Sequence, residues 1–243
     1  MTAGDWRASW DRQQNAHEPD REHSFELMLD YVELLAGRPA RLLDLACGTG
    51  SISERALARF PGAQVVALDV DPVMLELVAG ALADDSRVQV VDRDLREPSW
   101  REGLGEFDAV LSATALHWLS EERLELVYRD VAGIVRPGGV FANRDHFPIE
   151  EQRLHDAGER ALERHLEREV STGAETYAQW YERLAGDEDF SALLAERTRR
   201  LPPGDGELWL PASWHRERLL TAGFAAADVT WRWGNDALLV AVR

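Results

Sequence analysis

Asp44, Asp69 and Asp94 each close a short apolar run, and Gly48 and Gly50 follow the first of them. A carboxylate accepts two hydrogen bonds in a fork, which suits a diol. Glycines let the backbone turn tightly and come close to a ligand. Asp69 stands 19 positions after Gly50, the separation expected of an acid that grips ribose hydroxyls beyond a glycine turn. Asp94 is followed by Leu95. There a carboxylate can accept from the exocyclic amine of a purine, while the neighbouring backbone N–H serves a ring nitrogen. Asp92 competes for this task, and register against the "DL" pair favours Asp94.

A second group of candidates follows the fourth apolar run, in "SATALHWL". His117 could be a general base, orient an acceptor or cap the next helix. His146, beside Asp145, occupies a similar place after the fifth run, and His215 lies nearer the C-terminus. Tyr177, Trp180, Trp209 and Trp214 could line an aromatic acceptor pocket or form a small core of their own. Cys47 is the single cysteine; with no activating base near it in sequence, it reads as a small spacer. One cysteine permits no internal disulfide and no cysteine-based metal cluster, and no metal centre is expected.

The elements that must position these residues alternate. Residues 24–36 read as a helix capped by Ser24, with Phe25, Met28, Leu29, Val32 and Leu35 on one face. Then come a strand "RLLDLA", a helix from Ile52 to Phe60, a strand "QVVALDV" and a helix from Pro72 to Ala83 with Asp71 as its cap. Strands "RVQVV" and "FDAVLSA" follow, then a helix from Glu121 to Val135 that stops at Pro137-Gly138-Gly139, and a strand "GVFANR". This β-α rhythm predicts a doubly wound α/β fold with a largely parallel sheet. Ligands of such sheets sit beyond the carboxyl ends of the strands, where all the candidate acids fall.

The rhythm breaks after Phe147. Residues 150–200 read as consecutive helices, "LPPGDGE" as a loop, Pro211 to Ala222 as a helix, and the remainder as a hairpin around Gly234-Asn235-Asp236. The helical block is too long for a plain connection and is expected to cover the working edge of the sheet. The expected organisation is a helical cap at 1–39, a ligand-binding core at 40–147, a helical lid at 148–210, and a closing helix and hairpin at 211–243.

The chain has 243 residues and a formal net charge of −17, from 44 acidic and 27 basic residues. Such a field repels phosphate backbones and anionic membranes, so neither nucleic acid nor membrane is an expected partner. Arg197, Arg199 and Arg200 form the one dense basic cluster and read as a solvated helix end. The N-terminal stretch is charged and aromatic, unlike a signal peptide, and a cytoplasmic location is expected.

A dinucleotide site would show G-x-G-x-x-G/A, but the third position here is Ser53. Asp44, four residues before the first glycine, would repel a pyrophosphate. It would welcome an ammonium or a sulfonium, which together with adenosine describes S-adenosylmethionine (SAM). The stretches "LLDLACGTGSIS", "VVALDVDPVML", "VVDRDL", "FDAVLSATALHWL" and "VRPGGVF" resemble, in order and spacing, a class I SAM-dependent methyltransferase. The closing "LLTAGFAAADVTWRWGNDALLVAVR" resembles that family's last helix and hairpin, and the opening "WDRQQ" its small-molecule members.

The resemblance implies a seven-stranded sheet ordered 3-2-1-4-5-7-6 with strand 7 antiparallel. It implies Asp44, Ala46, Gly48 and Gly50 around the methionine portion of SAM, Asp69 on the ribose, and Val70 and Met74 against the adenine. Asp94 and Leu95 would meet the adenine edge, and Thr114 would line the passage from methyl to acceptor. Trp6, Trp10 and Arg21 belong to a segment that often folds over the cofactor in this family. The implied reaction is in-line methyl transfer to a small-molecule acceptor, leaving S-adenosylhomocysteine (SAH). His117 and His146 are the catalytic candidates; His117, Tyr177, Trp180, Trp214 and His215 are the acceptor-site candidates. A nucleic-acid methyltransferase is the alternative enzyme, but Ser112-Ala113-Thr114-Ala115 stands where an amino methylase of DNA usually carries [N/D]-P-P-[Y/F]. A non-catalytic SAM-binding module is the alternative outside enzymes.

Overall fold

The computed structural model describes residues 1–202 and 206–243, so part of the expected "LPPGDGE" loop lies outside the described residues. Two helices, α1 (Ala3–His17) and α2 (Arg21–Ala36), precede the sheet. Then follow β1 (Arg41–Leu45), α3 (Ser51–Arg59), β2 (Gln64–Asp69), α4 (Pro72–Ala81), β3 (Val88–Asp92) and β4 (Phe107–Ala113). After them come α5 (Glu121–Ile134), β5 (Val135–His146), α6 (Gln152–Ser171), α7 (Tyr177–Ala185), α8 (Ser191–Arg200), α9 (Ala212–Ala222), β6 (Ala226–Trp233) and β7 (Asp236–Val242). The strands form one sheet in the order β3-β2-β1-β4-β5-β7-β6. β7 runs antiparallel to β5 and β6, and the other pairs are parallel.

Side chains alternate across each strand, and both faces are covered. Leu43, Leu45, Val66, Leu68 and Val110 pack on one side with Leu124, Val127 and Val131 of α5 and Leu219 of α9. Leu42, Val65, Ala109 and Leu111 pack on the other with Phe25, Met28 and Val32 of α2 and Ile52 and Ala56 of α3. Asp44 shares the second face with Leu42, and this aims its carboxylate at the start of α3.

Several boundaries differ from expectation for identifiable reasons. The second helix starts at Arg21, and its cap position is Asp20 in a left-handed conformation (φ 58°). Ser24 does not cap it: it lies buried in the first turn and its hydroxyl donates to the Arg21 carbonyl. The chain passes from α5 straight into β5 at Val135, so Pro137-Gly138-Gly139 sits within the strand span instead of ending the helix. Asp236 is the first residue of β7, opposite His146, and not part of the turn. Asp71 caps α4 as expected, accepting from the Val73 N–H at 2.9 Å.

Of the helices after β5, α7 and α8 converge on α1 and α4. Trp180 and Leu184 of α7 and nearby Phe190 bury themselves with Trp6 of α1 and Val73 and Leu77 of α4. α8 then lies over the tips of β2 and β3. Arg197 pairs with Asp71 at 2.6 Å, and Arg200 reaches Asp92 at 2.7 Å and the Val70 carbonyl at 3.3 Å. The basic cluster is therefore not a solvated helix end. Two of its three arginines are spent on acids at the strand tips, and Arg199 alone is largely exposed, paired with Glu196 of its own helix.

Candidate functional site

β1 ends in a turn that only unusual backbone can make. Ala46, Gly48 and Gly50 all have positive φ (57°, 54° and 81°). A Cβ on Gly50 would lie 2.5 Å from Val78 Cγ2 of α4, so a residue with a side chain is disfavoured there by packing as well as by φ. A Cβ on Gly48 would meet nothing within 4 Å. The turn is thus tight beneath and open above. Thr114, after β4, joins Asp20 and Ala46 as a non-glycine residue in the left-handed region (φ 47°). Such conformations are costly for residues with a Cβ and concentrate where a site needs them.

The acids occupy neighbouring strand tips. Asp44 is buried and accepts from the Ser53 N–H at 2.9 Å and the Ser53 hydroxyl at 2.6 Å. Burial pushes its carboxyl up to about 7 despite these two donors. Asp69 accepts from the Gly48 N–H at 2.8 Å, the Val70 N–H at 2.7 Å and the Asp71 N–H at 2.9 Å, and burial raises it to about 6. Its Oδ2 carries one of those bonds, so it keeps acceptor capacity on the side of the glycine turn. Asp94, one strand further, lies beside Arg96, which contacts both its oxygens at 2.9 Å through Nε. Burial works against its ionised form, but Arg96 holds it below the usual carboxylate range. A cavity of about 520 Å³ opens here, lined by Val70, Asp92, Asp94, Trp100 and Arg200 among others. Leu95 and Met74 are buried and do not line it.

The structure brings a second group together at the ends of β4 and β5. His117 Nδ1 lies 2.7 Å from Asp145 Oδ1, and Asp145 also accepts from the His146 N–H at 3.0 Å. Burial would raise the Asp145 carboxyl, but the His117 ring holds it low. His146 Nδ1 bonds Asp236 Oδ1, and that acid raises the imidazole above its ordinary value although burial opposes it. Trp209, 44% exposed, lies nearly parallel to the His117 ring (18°, centroids 6.0 Å apart) and 4.5 Å from that of His146. Polar atoms of His117, Asp145 and His146 lie within 4.8 Å of one another, within the span of a divalent ion. Asp145 Oδ1 is already engaged by His117 and the His146 N–H, and the arrangement is hydrogen-bonded.

The remaining candidates are placed elsewhere. Trp180 is fully buried and donates to Ser9 at 2.8 Å, so it is core of the cap and not the wall of an open pocket. Trp10 packs edge-on against Trp180 and Tyr177, whose own ring is 47% exposed. Arg21 is spent on Asn15 at 2.8 Å and Asp11 at 3.1 Å. His215 is buried against Tyr128, 2.6 Å from its hydroxyl, and burial drops it to about 4. Trp214 donates to Glu121 at 3.0 Å. Sequence reasoning missed Asp236 as the partner of His146, and it read Ser53 only as a failed glycine. Its offset from Asp44, nine residues on at the start of the next helix, was the available signal.

Residues 42–139 match the methyltransferase-domain family. A trans-aconitate 2-methyltransferase of Deinococcus radiodurans is 34% identical over 139 residues, covering 53% of this chain and 50% of that protein. A ubiquinone biosynthesis O-methyltransferase of Xanthomonas campestris is 37% identical over 119 residues, 46% of each chain. The chain thus spans about half the length of the curated relatives it matches. Among solved structures, DesVI of Streptomyces venezuelae shares the fold with a TM-score of 0.63 at 16% identity, over 97% of both chains. SAM-bound CalS10 of Micromonospora echinaspora shares it with a TM-score of 0.60 at 16% identity, over 96% of both. The sheet order and the glycine turn are those that the resemblance to a class I SAM-dependent methyltransferase implied, and the methyltransferase-domain match spans that turn and the strands from β1 to β4.

Proposed function

We propose that this protein binds SAM at the tips of β1, β2 and β3 and transfers its methyl group to a small-molecule acceptor held at the ends of β4 and β5. The observation that carries this reading is the open space above Gly48 beside the Asp69 carboxylate. A ribose diol can add to Asp69 Oδ2, the adenine can extend past Val70 toward Asp94, and the sulfonium can sit over the turn near buried Asp44. Asp44 would act through its charge and through Oδ1, since both bonds from Ser53 fall on Oδ2.

SAM carries an activated methyl group when bound. The chain's part is to align acceptor, methyl and sulfur in line and to keep water out. α1, α7 and α8 would supply the exclusion, because they close over the strand tips and are joined by Trp6, Trp180 and the Arg197–Asp71 pair. Parts of the relatives extend beyond what this chain matches, so their acceptors are not carried over to it.

Calorimetric titration of SAH tests the reading. The protein as it stands should bind one equivalent. Asp69→Ala removes a charge-assisted bond to the ribose, of about 1.5–3 kcal/mol, and should weaken binding about 10- to 100-fold. Unchanged affinity in Asp69→Ala would assign the ribose to a different acid.

A further inference from the structure

The chemistry at the ends of β4 and β5 narrows the acceptor, on the reading that this is a methyltransferase. We infer that the acceptor is a neutral aromatic hydroxyl, whose proton passes to His117 Nε2 while Asp145 holds Nδ1.

Three observations carry this. First, the His117–Asp145 pair is buried and fixes the imidazole through Nδ1 at 2.7 Å, and Nε2 has no hydrogen-bond partner among the described residues. A carboxylate on Nδ1–H orients the ring and stabilises the imidazolium that forms when Nε2 takes a proton. Second, the charge already present is balanced or negative. Arg144, fully buried on β5, stands between Glu18 at 2.9 Å and Asp236 at 3.2 Å, and Asp236 also holds His146. Arg144 is therefore not available to neutralise an incoming carboxylate, which would meet Asp145 and Asp236 instead. A carboxylate acceptor would also leave a base with no proton to remove. Third, two tryptophans present unfilled ring surface beside His117: Trp209, 44% exposed and nearly parallel to the imidazole, and Trp118, 62% exposed with its centroid 5.2 Å away. Flat indole faces beside a base suit an aromatic ring better than an aliphatic chain.

The step balances without a further reactant. The acceptor O–H bond breaks and its proton moves to His117 Nε2. The oxygen pair forms the bond to the methyl carbon, the carbon–sulfur bond breaks, and its electrons neutralise the sulfonium. His117 then returns its proton to water. His117 is the catalytic base and Asp145 a positioning residue.

The test measures SAH formation from SAM with a series of phenols, from nitrophenol to methoxyphenol, and with the matching benzoates. Phenols should be methylated and benzoates not. His117→Gln should slow methoxyphenol about 100- to 10,000-fold with SAM binding unchanged. It should slow nitrophenol, largely ionised in mildly alkaline buffer, far less. Asp145→Asn should show the same dependence on ring acidity with a smaller loss, which a merely structural defect would not produce. Millimolar EDTA should change nothing. Benzoates outpacing phenols, equal losses across the phenol series, inactivation by EDTA, or a protein that binds SAH yet methylates no phenol would each overturn the inference. Failure to bind SAH at all would instead overturn the methyltransferase reading beneath it.

Discussion

Asp44 and Asp69 are carboxylates kept partly protonated by their surroundings, at about 7 and about 6, because burial outweighs the hydrogen bonds they receive. Their pKa values in the folded chain exceed the ordinary value, so they favour the fold most at pH below about 4. That contribution is lost as pH rises through 6 and 7, where the buried groups must ionise. A sulfonium nearby would reverse the penalty by pairing with the ionised forms. SAM and SAH differ at this point by that one charge and a methyl. The thermal stabilisation given by SAM, minus that given by SAH, should therefore grow between pH 5 and pH 8. A difference that is constant over this range would show that the sulfonium does not lie near these acids. Ser53 matters at the same scale. A glycine in its place would satisfy a dinucleotide fingerprint but would remove the hydroxyl, 2.6 Å away, that shares the burden of burying Asp44.

At the scale of elements, α8 acts as a clasp. Arg197 and Arg200 reach across more than 100 residues of sequence to Asp71 and Asp92, and Arg200 also meets the Val70 carbonyl. Exposed ion pairs are weak singly, but Arg197 binds an acid that is itself buried. Replacing both arginines with alanine should leave the sheet intact and loosen α7 and α8. Hydrogen exchange in residues 177–200 should accelerate at least several-fold, while the strands keep their protection. Uniform acceleration throughout the chain would contradict a locally held clasp. The strands themselves were legible in sequence, because those buried on both faces must read as short apolar runs between turn residues. The clasp was not. A cluster of arginines has the same composition whether it faces water or an acid far away in the chain. Trp180 was ambiguous for the same reason: an aromatic residue in a helix looks alike whether it lines a pocket or fills a core.

Over the whole molecule, the sheet supplies two adjacent workplaces. β1, β2 and β3 present acids around an open turn, and β4 and β5 present a buried histidine–aspartate pair beside exposed tryptophans. Among the described residues no helix is long and apolar enough to cross a membrane. The acids of the first workplace could be read from spacing, since Asp69 follows Gly50 by 19 residues and the pairing of β1 with β2 brings it to the glycine turn. The second was readable only as a set of candidates. His117 and Asp145 are 28 residues apart, and only the pairing of β4 with β5 makes them neighbours. SAM binding at the tips of β1, β2 and β3 rests on the first workplace. A crystal structure of the protein with SAH bound tests it most directly. It should show the sulfur over Gly48, both ribose hydroxyls on Asp69 and the adenine beside Asp94. A nucleoside seated away from Asp69, or a glycine turn left uncovered, would contradict it.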